Sequence, residues 1–99
     1  MDNFSSEKSV INITNGRIDN IDRQGNTTFV TVSYRDNRNQ QREQNVRLVV
    51  GNNTIILNEN GNTIRVRELR TGMMINAVVS SAMTRSIPPQ TTAFEVRVL

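Results

Sequence analysis

Apolar residues in this chain alternate with polar ones over short stretches, and Gly, Asn, Asp or Pro breaks the pattern every few residues. Strands that short, separated by turn signals roughly every 8 to 12 residues, predict a sandwich or a barrel. Ile11 and Ile13 open the pattern with the two-residue period of a strand that buries one face. Asn15-Gly16 then interrupts, and Ile18 and Ile21 follow three residues apart instead of two. A glycine with a one-residue phase slip predicts a bulge or a sharp coil in this first strand. A first strand that serves both layers of a small closed sheet needs such a bend. Residues 22–26 (DRQGN) read as a turn. TTFVTVSYR is the second strand, with Val30, Val32 and Tyr34 toward the core and Phe29, Thr31 and Ser33 outside. A polar hairpin tip covers Asp36 to Gln41, and Asn45 to Val50 returns as the third strand. Val46, Leu48 and Val50 face inward there, and Arg47 faces outward.

Gly51-Asn52-Asn53 turns the chain into TIIL, an apolar run too brief for a helix. Asn60-Gly61 is a two-residue hairpin signal, since both positions tolerate positive φ. A short strand from Thr63 to Val66 should follow, then a one-turn helical corner from Arg67 to Arg70 and a glycine turn at Gly72. The strand from Met73 places Met73, Ile75, Ala77 and Val79 inward, which leaves Met74 and Val78 outside and in need of cover. The stretch 62–82 is thus where an open meander bends back to close. Ala82 to Gln90 is the longest irregular stretch; Pro88-Pro89 cannot sit inside a sheet and favours polyproline II. In the final TTAFEVRVL, Phe94, Val96 and Val98 face inward and Glu95 and Arg97 outward, so this strand closes the barrel against an early one.

These elements predict an all-β fold: a five- to six-stranded, OB-like closed or partly open barrel with one short helical corner. An SH3-like barrel is the alternative. Ninety-nine residues make one core, so residues 9–99 form a single domain behind a frayed polar tail, residues 1–8, that carries Phe4. The order Gly16-Arg17-Ile18 with Ile21, Thr54-Ile55-Ile56, Glu68-Leu69-Arg70-Thr71-Gly72 and Ala93 to Val96 resembles small bacterial OB-like barrels of unknown function, often met in secreted or envelope proteins. The resemblance spans roughly residues 10 to 99 and rests on turn and core positions. It implies a fold and carries over no active-site residue.

Composition narrows the chemistry. The chain has no Cys and no His, which removes thiolate nucleophiles, the usual general base and the commonest metal ligand. Its one Lys, Lys8, lies in the tail, out of place for a Ser-Lys pair. Asp19 and Asp22, with Asn20 between them, have oxygen ligands for a cation, yet they lack the density and glycine turn of a calcium loop. Carboxylates flanking a turn more often solvate or cap it. No enzyme activity, cofactor or metal is expected. No run approaches the roughly 18 apolar residues of a membrane span, and no basic segment followed by an apolar run marks a signal peptide. The cytoplasm is the default compartment, with the envelope or the exterior as the alternative for a chain whose leader has been removed.

Binding is what remains. The net charge is +3, from eleven Arg and one Lys against nine acids, and guanidinium forks suit phosphate and carboxylate. OB-like barrels bind single-stranded nucleic acid through a basic groove and stacking aromatics on the second and third strands. Phe29, Tyr34, Arg35, Arg38, Arg42 and Arg47 are the candidates here, offset by Asp36 and Glu43. The plainer reading of these residues is a solvated hairpin, with Phe29 packed under another segment. Arg65, Arg67 and Arg70 against Glu68 form a second local excess. A protein partner is favoured, through the loop Thr84, Arg85, Ile87, Pro88, Pro89 and Gln90, whose prolines make it rigid. Its plainer role is to stiffen a connection and block edge pairing. The function expected is a non-catalytic binding or interaction module. The alternatives are weak, sequence-tolerant single-strand binding and a structural adaptor domain of a longer bacterial protein.

Overall fold

The first strand bends where glycine lets two layers approach. In the computed structural model, which describes residues 9–36 and 39–99, β1 (Val10–Gln24) runs unbroken for fifteen residues. Its first part pairs antiparallel with β5 (Met74–Ser80), from Val10 opposite Ser80 to Arg17 opposite Met74. Its second part pairs antiparallel with β2 (Thr27–Asp36), from Arg17 opposite Ser33 to Gln24 opposite Thr27. The register slips between Ile13 and Gly16 on the β5 side and between Ile18 and Asn20 on the β2 side. The expected bulge is therefore present, with Asn15 at φ 54°. Gly16 is required by space: a Cβ there would lie 2.6 Å from Val32 Cγ1 and 3.3 Å from Ile13 Cγ2.

β2 continues through a hairpin into β3 (Asn39–Val50), and the last strand, β6 (Gln90–Val98), pairs antiparallel with β5. Closure comes from β3 and β6, which run parallel from Arg47 opposite Gln90 to Val49 opposite Thr92. The sheet order β3-β2-β1-β5-β6 thus returns on itself, and β4 (Ile55–Leu57) adds a parallel sixth strand to β6. A five-stranded barrel of this order, closed by its parallel third and last strands, is OB-like. Among the described residues no helix is long and apolar enough to cross a membrane.

The core holds the alternating residues of the central strands. Val30 and Val32, Val46, Leu48 and Val50, and Ile75, Ala77 and Val79 are all buried, with Ile13 and Ile18 from β1. Each fully buried Val, Ile or Leu contributes about 1.5–3 kcal/mol relative to exposure. A 3-10 turn at Val66–Glu68 leads into Leu69, only 1 % exposed, which plugs one end. Glu68 holds the turn by accepting the Arg65 backbone N–H at 3.1 Å.

Several expectations need correction. Phe94 faces out, 45 % exposed, because β6 has a bulge there: Val78 pairs with Glu95 and Val79 with Ala93. That extra residue puts Ala93 inside and resets the phase so that Val96 is buried as well. Residues 63–66 do not form a strand. After the turn at Asn58–Gly61, Thr63 makes a single bridge to Leu57 and the Ile64 N–H donates to the Ile56 carbonyl at 2.8 Å. The helical corner comes one residue early and is a 3-10 turn. The third strand begins at Asn39 and not Asn45, so the hairpin forms a longer arm than expected. Its tip at residues 37–38, and the tail at residues 1–8 with Phe4, lie outside the described residues.

Gly16→Ala should destabilise the domain by about 1–3 kcal/mol through overpacking, read as a lower urea midpoint with unchanged slope. Gly51→Ala is the control, since nothing lies within 4 Å of a Cβ there, and it should leave the midpoint in place.

Candidate functional site

The outer face of β1, β2 and β3 carries three of the residues that a nucleic-acid reading needs, Phe29, Arg35 and Arg47. Register places Arg17 opposite Ser33, Asp22 opposite Phe29, and Thr31 opposite Arg47. Phe29 is half-buried, and the Arg47 guanidinium carbon sits 4.3 Å from its ring centroid. This cation–π contact covers the ring with the chain's own side chain. Arg47 Nη2 also lies 3.5 Å from Asp22 Oδ2, and Gln24 donates to the same carboxylate oxygen at 2.8 Å. Asp19, the bulged residue of β1, accepts from Arg17 Nε at 2.7 Å and from the Ser33 hydroxyl. Ser33 is 4 % exposed although it points outward, because this network covers it. Arg17 also reaches Glu43 at 3.5 Å. The face is a lattice of opposite charges that satisfy one another.

The titration behaviour follows from these contacts. The Arg17 hydrogen bond, and then that of Ser33, hold the Asp19 carboxyl below the usual range. Arg17 is raised in turn by its bond to Asp19. Asp19 is thus engaged by Arg17 of its own strand and Ser33 of β2, and Asp22 by Gln24 of its own strand and Arg47 of β3. Among the described residues no three acidic groups converge as metal ligands.

The six candidate contacts do not form one patch. Phe29, Arg35 and Arg47 share the outer face, whereas Tyr34 points to the inner side and packs on the core cluster. Burial, then Asp36, raises the Tyr34 hydroxyl above its ordinary pKa. Arg42 is exposed on the arm, and Arg38 lies outside the described residues. The exposed arginines at 65, 67 and 70 lie on the turn at the opposite end, where Arg23 also reaches the Val66 carbonyl at 3.5 Å.

The end of the barrel opposite Leu69 is different. There β1 and β2 part company beyond Arg17 and Ser33, and a cleft of about 420 Å³ opens between Ile11 and Thr14 on one side and Tyr34 and Gln44 on the other, with Met83 lining it too. A second hollow of about 330 Å³ continues past Asn15, Ser33 and Met74. Met74 is 41 % exposed, and Val78 is half-buried. The loop between β5 and β6 borders this end. It is closed by its own bonds: the Thr84 N–H donates to the Gln90 carbonyl at 3.0 Å, and the Gln90 N–H to Thr84 Oγ1 at 2.9 Å. Ser86 Oγ lies 2.6 Å from Thr84 Oγ1 and donates to the Pro88 carbonyl at 2.9 Å. The Ile87–Pro88 peptide is cis, and Ile87 stands 99 % exposed at the tip beside exposed Arg85. The Pro89 carbonyl accepts from Arg47 N at 2.8 Å, fixing the loop's far side to β3.

Sequence reasoning found the loop but missed the cleft and the charge lattice. The cleft was signalled by the bulge at Asn15-Gly16, since a strand that bends away from one neighbour leaves a gap. No family model matches the chain, and comparisons with curated proteins and with solved structures return no match either.

The Asp19 contacts set a pH dependence. A carboxyl held below its unfolded pKa contributes stability above about pH 4 and loses it as pH falls through the lower folded value. The urea midpoint should therefore drop on acidification from about pH 5 to about pH 2, and Asp19→Asn should flatten that drop.

Proposed function

We propose that this domain is a non-catalytic protein-binding module whose contact surface is the barrel end bearing the 81–89 loop. The observation that carries this reading is Ile87, wholly exposed at the tip of a loop ordered by polar bonds. Burying such a side chain against a partner is worth about 1.5–3 kcal/mol. A loop already held in shape gives up little entropy on docking. Arg85, two residues before it, adds a charge for orientation. The non-catalytic part rests on residue types: no His, no Cys, and β1 carboxylates held by Arg17, Ser33, Gln24 and Arg47.

Single-strand binding is less well supported. Stacking needs an open aromatic face, and Phe29 is covered by Arg47 on a face whose charges are matched. An adaptor domain of a longer bacterial protein is a special case of the main reading, in which the loop meets a neighbouring domain of the same polypeptide.

The test compares the domain with its Ile87→Glu variant, immobilised side by side in source-cell extract, with retained proteins quantified by mass spectrometry. A protein retained by the wild type and reduced at least tenfold by the variant, at unchanged Tm, is the expected result. Equal retention would overturn the reading. In parallel, mixed-sequence single-stranded DNA titrated at low salt should leave the amide shifts of Phe29, Arg35 and Arg47 in place. Shifts there that fade with added salt would transfer the function to nucleic acid.

A further inference from the structure

Among the described residues, one wall of the cleft is β1 backbone with no strand against it before Arg17. Ser81 N donates to Ser9 O at 2.7 Å, and the β1–β5 register places Ile11 opposite Val79 and Ile13 opposite Ala77. In an antiparallel ladder, bonded pairs alternate with residues whose N–H and C=O point the other way. Ser9, Ile11 and Ile13 therefore bond β5, and Val10 and Asn12 turn their N–H and C=O toward the cleft. Among the described residues no strand pairs with that side of β1 before Arg17. By the same alternation Ile11 shares the face of buried Ile13, yet it is exposed at the cleft mouth.

We infer that this edge takes a strand: an extended, uncharged segment of a protein partner, with apolar residues at alternate positions, adds to β1 along Val10–Asn12. The inference rests on the protein-binding reading above and names the form of the partner. Unpaired backbone groups at strand spacing fit an extended peptide, and alternate side chains of that peptide supply the specificity. One of its faces meets Ile11, Tyr34 and Met83 across the cleft. Among the described residues lining the two hollows, Arg17 and Arg35 balance Asp36 and Glu43, so the segment needs no net charge. A second copy of the barrel is a poor occupant, because the free edge is short and lies in a cleft beside the projecting β2–β3 arm. A single strand enters such a cleft; a folded sheet does not. The exposed loop at Ile87 begins from the same end, where Ser81 meets Ser9, so one partner can engage both.

The experiment selects binders to the whole domain from a displayed library of random dodecapeptides and measures amide exchange of the domain with the tightest peptide. Val10 and Asn12 amides should slow by about a hundredfold on binding. Asn12→Pro, which deletes the donor on the open side and is tolerated on a strand edge, should weaken the peptide at least tenfold. The wild-type exchange data decide the matter even where that variant folds poorly. Peptides that bind while Val10 and Asn12 exchange as before would overturn strand addition. If those peptides are weakened by Ile87→Glu, the protein-binding reading stands alone; if neither substitution matters, or no peptide is selected, both fall. Protection that rises with protein concentration in the absence of peptide would assign the edge to a second copy and also overturn the inference.

Discussion

A single strand that must belong to two layers sets the terms for this barrel. β1 pairs with β5 along its first half and with β2 along its second, and two bulges absorb the change of direction. At the first, Gly16 lets Val32 approach to a distance no side chain would allow, and the Asn15 N–H left over by the bend is taken up by Asn76 Oδ1 at 2.9 Å. At the second, Asp19 is the extra residue, thrown onto the outer face where Arg17 and Ser33 receive it. Closure, the open cleft and the charge lattice are three consequences of one bend. A straight β1 would keep its pairing with β2 and have no free edge to offer, but it would not close the barrel.

The surroundings of β6 show how a chain with four aromatics in ninety-nine residues completes a core. Few large rings are available to fill the interior, so β-branched side chains pack it and threonines stitch its rim. Thr91 Oγ1 donates to the Ser80 carbonyl at 2.6 Å, and Thr54 Oγ1 to the Ala93 carbonyl at 2.8 Å. The second bond lies beside the bulge at Phe94, where the ladder between β5 and β6 is interrupted. No buried side-chain nitrogen or oxygen is left without a partner among the described residues, which matters because an unmade buried bond costs about 1–3 kcal/mol. The bulge turns Phe94 outward on the strand that also pairs with exposed Ile55.

Strand phase was legible wherever the buried stretch of a strand kept one register. β2, β3 and β5 bury the alternating residues that their patterns indicate, and the slip from Ile18 to Ile21 marked the bend in β1. The same signal stands in β6, where Ala93 and Val96 are three apart and both buried; the cleaner alternation of Phe94, Val96 and Val98 masked it. Residues 63–66 have strand composition, but β4 already pairs with β6 and only one bridge remains for Thr63. At the candidate site, the outward direction of Phe29 follows from period two. Its cover by Arg47 depends on a diagonal neighbour across two strands, a relation that exists only once the register is known. The free edge is invisible for the same reason, since it is defined by where a partner strand stops.

The two ends of the barrel divide the work. At one end Leu69 fills the opening, and its burial counts toward folding. At the other, the loop gains its shape from Thr84, Ser86 and Gln90 through polar bonds and from the tie between Pro89 and Arg47. Ile87 takes no part in any of these and buries nothing within the domain. Order in the loop is therefore independent of the side chain it displays, just as the β1 ladder with β5 is independent of the backbone groups on its far side. A domain this small has little stability to trade. Under the protein-binding proposal the contact groups sit where the fold does not rely on them, while the bend in β1 and the plug at Leu69 hold the barrel closed.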